Sequence, residues 1–216
     1  QSGLADLTDA GKREQQQMEL IYEELGLTRF EDAKAPAGLW SAVKPGQDLV
    51  IAGYIGLGGT VWMARHKGDI LRKTLPEEYV DSGKALLAEV AQVAAFTGFN
   101  AAAVYPVIQG GIFAALWEFA QAAGTGIHTR LTDIPVRQQT IEFCEVFDLN
   151  PYQLLSGGCL LMAADNGCDV LYRMSRAGIP CSVVGKVTKD HDRVVAHDDT
   201  CRYLTRPRRD EIFKLL

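Results

Sequence analysis

One stretch decides the fold, and it reads Leu49-Val50-Ile51-Ala52-Gly53-Tyr54-Ile55-Gly56-Leu57-Gly58-Gly59. Its first seven residues form a nearly continuous apolar run, which is typical of a short strand buried on both faces. The glycines that follow allow a sharp turn, and a helical segment over residues 60–66 comes next. The stretch therefore predicts a strand, a glycine turn and a helix in succession.

The same alternation continues along the chain. Apolar runs at residues 101–107 and 158–164, and an alternating run at 126–131, predict further strands with helical patterns between them. Residues 181–187 and 193–197 are predicted to form a closing hairpin, which makes the sheet mixed. We therefore predict an α/β (α+β) fold in which a mixed β-sheet is flanked by helices on both faces.

The character of the sequence changes at Pro45. Residues 12–25 predict an extra N-terminal helix that is mostly polar, and we expect its narrow apolar stripe to dock outside the main core. This stripe consists of Met18, Ile21, Tyr22 and Leu25. The predicted organisation is a helix and connector over 1–44, a domain over 45–205 and a tail over 206–216.

Composition excludes several classes of protein. With 47% hydrophobic residues, the 216-residue chain can bury a core, which excludes wholesale disorder. The net charge of −5 makes nucleic acid and anionic membranes poor partners. No apolar run approaches the roughly 18 residues of a membrane helix, and no signal peptide is recognisable. Five cysteines without a CxxC pair favour reduced thiols, so we expect a cytoplasmic protein.

Three glycine-rich clusters are the candidate ligand-binding or phosphate-binding sites. Two of them lie between a predicted strand and a predicted helix, where free N–H groups of the first helical turn bind anions. The plain alternative is that these glycines only make turns, and the familiar nucleotide-binding glycine motifs are absent. The candidate residues are Gly56, Gly58, Gly59, Gln109, Gly110, Gly111, Ser156 and Gly157.

Other polar groupings favour surface positions. The His191-Asp192 pair and residues 197–199 offer metal-binding side chains, but a solvated hairpin explains them better, so we expect no metal site. No cysteine has an evident histidine partner, and no general base or nucleophile can be named. An arginine run is interpreted as a solvated tail; it consists of Arg202, Arg206, Arg208 and Arg209.

Three stretches of the sequence, which follow one another in the same order as in the family, resemble the C-terminal domain of the AIR synthase (PurM)-related superfamily. Residues 45–56 are similar to its PGD-apolar-G opening, and residues 109–126, followed by Ile134-Pro135-Val136, are similar to its double-glycine helix and strand. Residues 155–163, with the later Ala177-Gly178-Ile179-Pro180, resemble the ending of its HypE-like members, the hydrogenase expression/formation proteins. The likeness covers roughly residues 45–197.

The resemblance implies a full-length parent that binds ATP and Mg²⁺ mainly through an N-terminal domain. The residues before Pro45 are too few to hold that domain, so it counts as a missing partner. A small-molecule or nucleotide ligand is implied as well, and a homodimer stays open. Two departures matter. Family members commonly have an acidic residue shortly before the double glycine, whereas residues 105–109 hold no carboxylate, and the chain ends in Lys214-Leu215-Leu216 rather than in the terminal cysteine of HypE.

The leading interpretation is a substrate-binding or nucleotide-binding C-terminal domain of a HypE-like, ATP-dependent protein. Such a protein serves hydrogenase maturation or a related ATP-driven activation, and we expect this chain alone to be inactive. One alternative is a non-catalytic binding module that keeps the fold, which the missing acidic residue before Gly110 favours. The other is a small-molecule kinase of the same superfamily. An Asp-rich ATP-binding domain encoded upstream would support the enzymes over the binding module.

Overall fold

The computed structural model describes residues 9–27, 37–94, 99–206 and 209–216. The helices are α1 (Asp9–Leu25), α2 (Leu57–His66), α3 (Gly68–Leu71), α4 (Glu77–Ala85), α5 (Leu87–Ala94), α6 (Gly111–Ala123), α7 (Gln138–Phe147) and α8 (Gly167–Arg176). The strands are β1 (Asp48–Ala52), β2 (Ala103–Pro106), β3 (Gly126–Arg130), β4 (Leu160–Ala164), β5 (Cys181–Thr188), β6 (Arg193–His197) and β7 (Thr200–Tyr203). No helix of these described ranges is long and apolar enough to cross a membrane.

The strands form one mixed sheet in the order β2-β4-β1-β5-β3-β6-β7. The neighbours β3 and β6 are parallel, and the other pairs are antiparallel. On β1, Leu49 and Ile51 pack with the core that includes α6, whereas Val50 and Ala52 pack with the core that includes α8. Helices therefore cover both faces, as predicted, and the apolar run of β1 is continuous because both of its faces are buried.

The predicted closing hairpin between β5 and β6 is wrong. Both strands pair with β3, which lies between them, and β6 instead forms a hairpin with β7. The backbone N–H of Ile127 on β3 also bonds the carbonyl oxygen of Asp192 in the connecting loop (N···O 2.8 Å). Apolar patterning identified the strands but carries no information about which edges pair, and β7 escaped notice because all four of its residues are exposed.

A second apolar cluster, here called the helical cluster, lies among α1, α2, α4, α7 and the C-terminal residues. Each residue of the predicted α1 stripe is at most 6% exposed and packs in this cluster rather than against the sheet. Large partners in the cluster include Leu57, Val61, Leu71, Phe143, Leu154 and Phe213. The extra helix is therefore an integral part of the helical layer.

The described arginines of the run, Arg202, Arg206 and Arg209, are exposed, as predicted, but the residues that follow them are packed against the protein. Ile212 and Phe213 are buried in the helical cluster, and the segment 211–214 forms a short 3₁₀ helix. Arg209 forms an ion pair with Glu14 of α1 (N···O 2.8 Å) and lies over the ring of Phe213. The boundaries at 44/45 and 205/206 stay predictions, because packing alone does not show which segment folds independently.

Replacing Ile21 tests how firmly α1 is docked. The side chain is 4% exposed, so Ile21→Ala leaves a cavity and is expected to lower the free energy of unfolding by about 2–5 kcal/mol. Its neighbour Leu20 is 61% exposed, so Leu20→Ala is the matched control and should change stability by about 0.5 kcal/mol or less. Urea unfolding measures both, and equal effects would contradict the docked helix.

Candidate functional site

The three glycine-rich clusters of the sequence meet in space. The segment 154–158 passes beside the N-termini of α2 and α6, and the backbones approach each other closely. Gly58 N–H donates to the carbonyl oxygen of Ser156 (2.7 Å), and Gly59 N–H donates to that of Leu155 (2.8 Å). Gly56 N–H donates to the hydroxyl oxygen of Ser156 (2.9 Å). The first turn of α2 is therefore satisfied from within the chain. We call the eight candidate residues together the glycine cluster.

The same segment lies against the start of α6. Ser156 N–H donates to the carbonyl oxygen of Ile108 (3.0 Å), and Gly157 N–H donates to that of Val107 (2.8 Å). A Cβ atom on Gly111 would lie 2.7 Å from the carbonyl oxygen of Tyr152, so close backbone approach requires glycine there. The exposed Gln109 accepts a long bond from the hydroxyl of Tyr22 (3.4 Å).

A carboxylate of the chain itself occupies the N-terminus of α6. Asp210, which is 3% exposed, accepts the N–H of Gly110 at Oδ2 (2.6 Å). Its Oδ1 accepts the N–H groups of Leu155 (3.1 Å) and Ile212 (2.9 Å). In this structure the N–H of Gly110, which the sequence assigns to an external anion, thus binds Asp210. Sequence reasoning missed this residue, although an aspartate two positions before the apolar Ile212-Phe213 pair is a recognisable helix cap.

The burial of Asp210 predicts a specific pH dependence. Desolvation raises the pKa of Asp210 from its ordinary 3.8 to about 6, although the three N–H bonds oppose this. Between these values the folded chain holds a proton that the unfolded chain has lost, so stability falls as the pH rises. We expect this group to lower the free energy of unfolding by about 3 kcal/mol between about pH 4 and pH 7.

Urea unfolding across that range, compared with Asp210→Asn, isolates the effect. The variant side chain does not titrate at this position, whereas every other group titrates in both proteins. The stability difference between wild type and variant should therefore change steadily with pH. A difference that is constant over the range would contradict the raised pKa.

A cleft of about 560 Å³ adjoins the glycine cluster. It lies where β1 and β5 meet the ends of α5, α7 and α8 around residues 53–57. Among its lining residues are Gly53, Tyr54, Leu57, Glu89, Arg137 and Cys181. Leu57, between Gly56 and Gly58, lines the cleft, whereas none of the eight residues of the glycine cluster is among its lining residues. This cleft is the candidate functional site.

An arginine–glutamate pair stands on the cleft wall. Arg137 Nε donates to Glu89 Oε2 (3.1 Å), and a second bond joins Arg137 Nη2 to Glu89 Oε1. The guanidinium also lies 4.3 Å from the ring centre of Tyr54. The bonds to Glu89 raise the pKa of Arg137, so the cation persists at any working pH. Both side chains remain about one-third exposed, so a ligand in the cleft can reach them.

Sequence reasoning did not single out these two residues. Arg137 directly follows Ile134-Pro135-Val136, a stretch that carries the family resemblance. This position in the sequence could have identified Arg137 as a candidate site residue. Glu89 is separated from Arg137 by 48 positions and meets it only because α5 packs beside the start of α7. No sequence spacing connects the two.

The thiol in the cleft is chemically quiet. Burial raises the pKa of Cys181 to about 12, so the thiol is neutral near pH 7 and is a poor nucleophile. Burial likewise raises the pKa of Cys159 behind it, and all five cysteines are free thiols. Within the described part of the chain, no group of three His, Cys, Asp or Glu side chains could hold a metal ion. The charged side chains of Arg137 and Glu89 thus make the cleft suited to recognition by hydrogen bonds.

Residues 44–198 match the model of the AIR synthase related protein family, C-terminal domain. The chain belongs to this family. The match begins just before β1 and ends after β6, so it includes the sheet core, the glycine cluster and the whole cleft. It leaves out α1 and residues 209–216.

HypE proteins are among the relatives found. The chain is 30% identical over 154 residues to carbamoyl dehydratase HypE of Rhodobacter capsulatus, covering 69% of this chain and 44% of that protein. The crystal structure of Escherichia coli HypE superposes with a TM-score of 0.60 at 21% identity, covering 79% of this chain and 53% of that one. A HypE structure in complex with ATP gives 0.58 at 18% identity, with coverage of 80% and 54%.

These comparisons fix the family and the fold. The structural likenesses, at 21% and 18% identity, show the shared fold alone. The chain spans about half the length of the HypE proteins that it matches. An activity of this chain like that of a complete HypE is therefore a proposal.

Proposed function

We propose that this chain is the substrate-binding half of a HypE-like, ATP-dependent protein and that its cleft holds a carbamoyl group. The family match over residues 44–198 and the 30% identity to a carbamoyl dehydratase support the substrate class. The half-length coverage supports a division of labour in which a separate N-terminal domain binds ATP. A HypE relative solved with ATP supports the nucleotide.

The single observation that carries the proposal is the Arg137–Glu89 pair on the cleft wall. A carbamoyl group presents a carbonyl oxygen that accepts and an NH₂ that donates. The guanidinium of Arg137 offers only donors and the carboxylate of Glu89 only acceptors, so side by side they complement both ends of the group. The apolar side chains of Leu57 and Leu171 also line the cleft.

The role of this chain in the reaction is positioning. ATP, when bound by the partner domain, supplies the phosphoryl group that makes the amide oxygen a leaving group. Arg137 holds that oxygen and Glu89 holds the NH₂, which fixes the plane of the carbamoyl group. The described residues do not fit Mg²⁺, because they form no metal-binding cluster, so no step is assigned to this ion.

A non-catalytic binding module is the second candidate, and the missing acidic residue before Gly110 favours it. Residues 105–109, the stretch in which family members commonly carry an acidic residue before the double glycine, hold none. The side chains of this stretch therefore offer no carboxylate that could take a proton or bind a cation. The cleft and its Arg137–Glu89 pair would serve recognition equally well in such a module.

The division of labour is tested by ATP turnover. The pure chain, incubated with ATP and Mg²⁺, is expected to release no more phosphate than buffer does, because no described cluster neutralises the developing charge. Turnover that disappears in Arg137→Ala but persists in Arg130→Ala would contradict the proposal, since the chain would then be a complete enzyme. An Asp-rich ATP-binding domain encoded directly upstream supports the enzyme, and its absence supports the binding module.

A further inference from the structure

The two segments outside the family match meet at the glycine cluster. Residues 209–216, here called the latch, place Asp210 against Gly110 and Leu155. Helix α1 lies beside the latch, since Glu14 pairs with Arg209. Leu27, just after the end of α1, lies so close to Gly157 that a Cβ atom on this glycine would clash with it. A shared family core is thus covered by segments that the family model does not include.

The place that Asp210 fills is built for an anion. Its donors come from three separate parts of the chain: the start of the 13-residue α6, the segment before β4 and the latch itself. The N-terminus of a helix favours negative charge, and three converging N–H groups complete the cradle. At 3% exposure the carboxylate is shut off from water.

The latch is anchored on both sides of Asp210. Glu211 accepts the N–H of Asn150 (3.1 Å), and Ile212 and Phe213 are buried in the helical cluster. On the other side, the Arg209–Glu14 ion pair ties the latch to α1 at the surface. Desolvation of the Asp210 carboxylate works against this closure.

We propose that the latch is an autoinhibitory contact: Asp210 is an internal anion that closes the glycine cluster to external oxyanions, and α1 holds it in place. In the closed latch, the N–H of Gly110 donates to a carboxylate of the chain itself, that of Asp210. Opening it frees the N–H groups of Gly110 and Leu155 together. The inference is independent of the carbamoyl proposal, because the cleft pair Arg137–Glu89 takes no part in it.

Chemical rescue of Asp210→Ala tests the latch. With the carboxylate deleted, sodium formate and inorganic phosphate should bind the vacated donors and raise the melting temperature saturably, by roughly 5–10 °C at a hundredfold excess over Kd. Wild type should not respond, because its own carboxylate fills the place. Asp190→Ala is the matched control, since Asp190 also accepts a backbone N–H but lies in an exposed turn. A response of Asp210→Ala no larger than that of Asp190→Ala or wild type would overturn the proposal.

A second variant keeps Asp210 and loosens its anchor. Glu14→Gln removes the ion pair to Arg209, so the latch should open more often and the amide of Gly110 should exchange its hydrogen about 2–5 times faster. The amide of Ile127 on β3, which donates to the carbonyl oxygen of Asp192, is the internal control, and its exchange rate should not change. An unchanged rate at Gly110 would refute the part assigned to α1, and this readout remains available if Asp210→Ala does not fold.

Discussion

Gly58→Ala is expected to cost at least about 3 kcal/mol of stability, because the added methyl group would overlap the carbonyl oxygen of Ser156. The same change pushes apart the Gly58 N–H and the Ser156 oxygen, which are 2.7 Å apart, so a buried hydrogen bond is lost as well. Backbone cannot move aside as a flexible side chain does. The two glycine-rich segments would therefore separate, which would displace Leu57, the lining residue of the cleft next to Gly58.

Gly124→Ala is the matched control for Gly58→Ala. Gly124 has a φ of +64° but nothing within 4 Å of its added Cβ, so the substitution measures backbone strain without a clash. It should cost about 1 kcal/mol. Urea unfolding followed by circular dichroism measures both variants. If Gly58→Ala were as stable as Gly124→Ala, the close approach of residues 58 and 156 would be refuted.

Arg137→Ala is expected to weaken binding of carbamoyl phosphate by about 10–100-fold, because a hydrogen bond from a charged donor to the carbonyl oxygen is lost. The side chain is 37% exposed, so its ion pair with Glu89 contributes little to stability and the variant should remain folded. Arg130→Ala is the control, since Arg130 also pairs with a carboxylate, Asp133, but lies outside the cleft. Isothermal titration calorimetry should show weaker binding for Arg137→Ala only. Equal affinities of the two variants would contradict the role of Arg137.

Local pattern made much of the fold predictable from sequence. The apolar run of β1 is long enough for a strand and has no polar face, so it indicated burial on both sides, and the sheet confirms this. Asn166 was recognisable as a polar residue between an apolar strand and an amphipathic helix; its side chain accepts the N–H groups of Cys168 and Asp169. Such features depend on residues within a few positions of each other.

Features that depend on distant residues were not predictable. Asp210 meets Gly110 across 100 positions, and Glu89 meets Arg137 across 48. Neither pair has a spacing that a helix or a strand would impose. The pairing of β5 and β6 with β3 likewise depends on which strand edges are free after the helices have packed. The glycine-rich segments were located correctly beside helix N-termini at Gly56 and Gly110, whereas their ligand-binding role stays a prediction.

The cleft itself can be tested by nuclear magnetic resonance with a matched pair of ligands. Carbamoyl phosphate and acetyl phosphate differ only in an NH₂ that replaces a CH₃, so only the first can donate to Glu89. The account predicts that carbamoyl phosphate shifts the backbone amides of Gly53, Gly158 and Gly178, which line the cleft, while that of Gly124 stays unchanged. Acetyl phosphate should bind at least about tenfold more weakly. Equal affinity for both ligands, or shifts that lie outside the cleft, would contradict a carbamoyl site at Arg137 and Glu89.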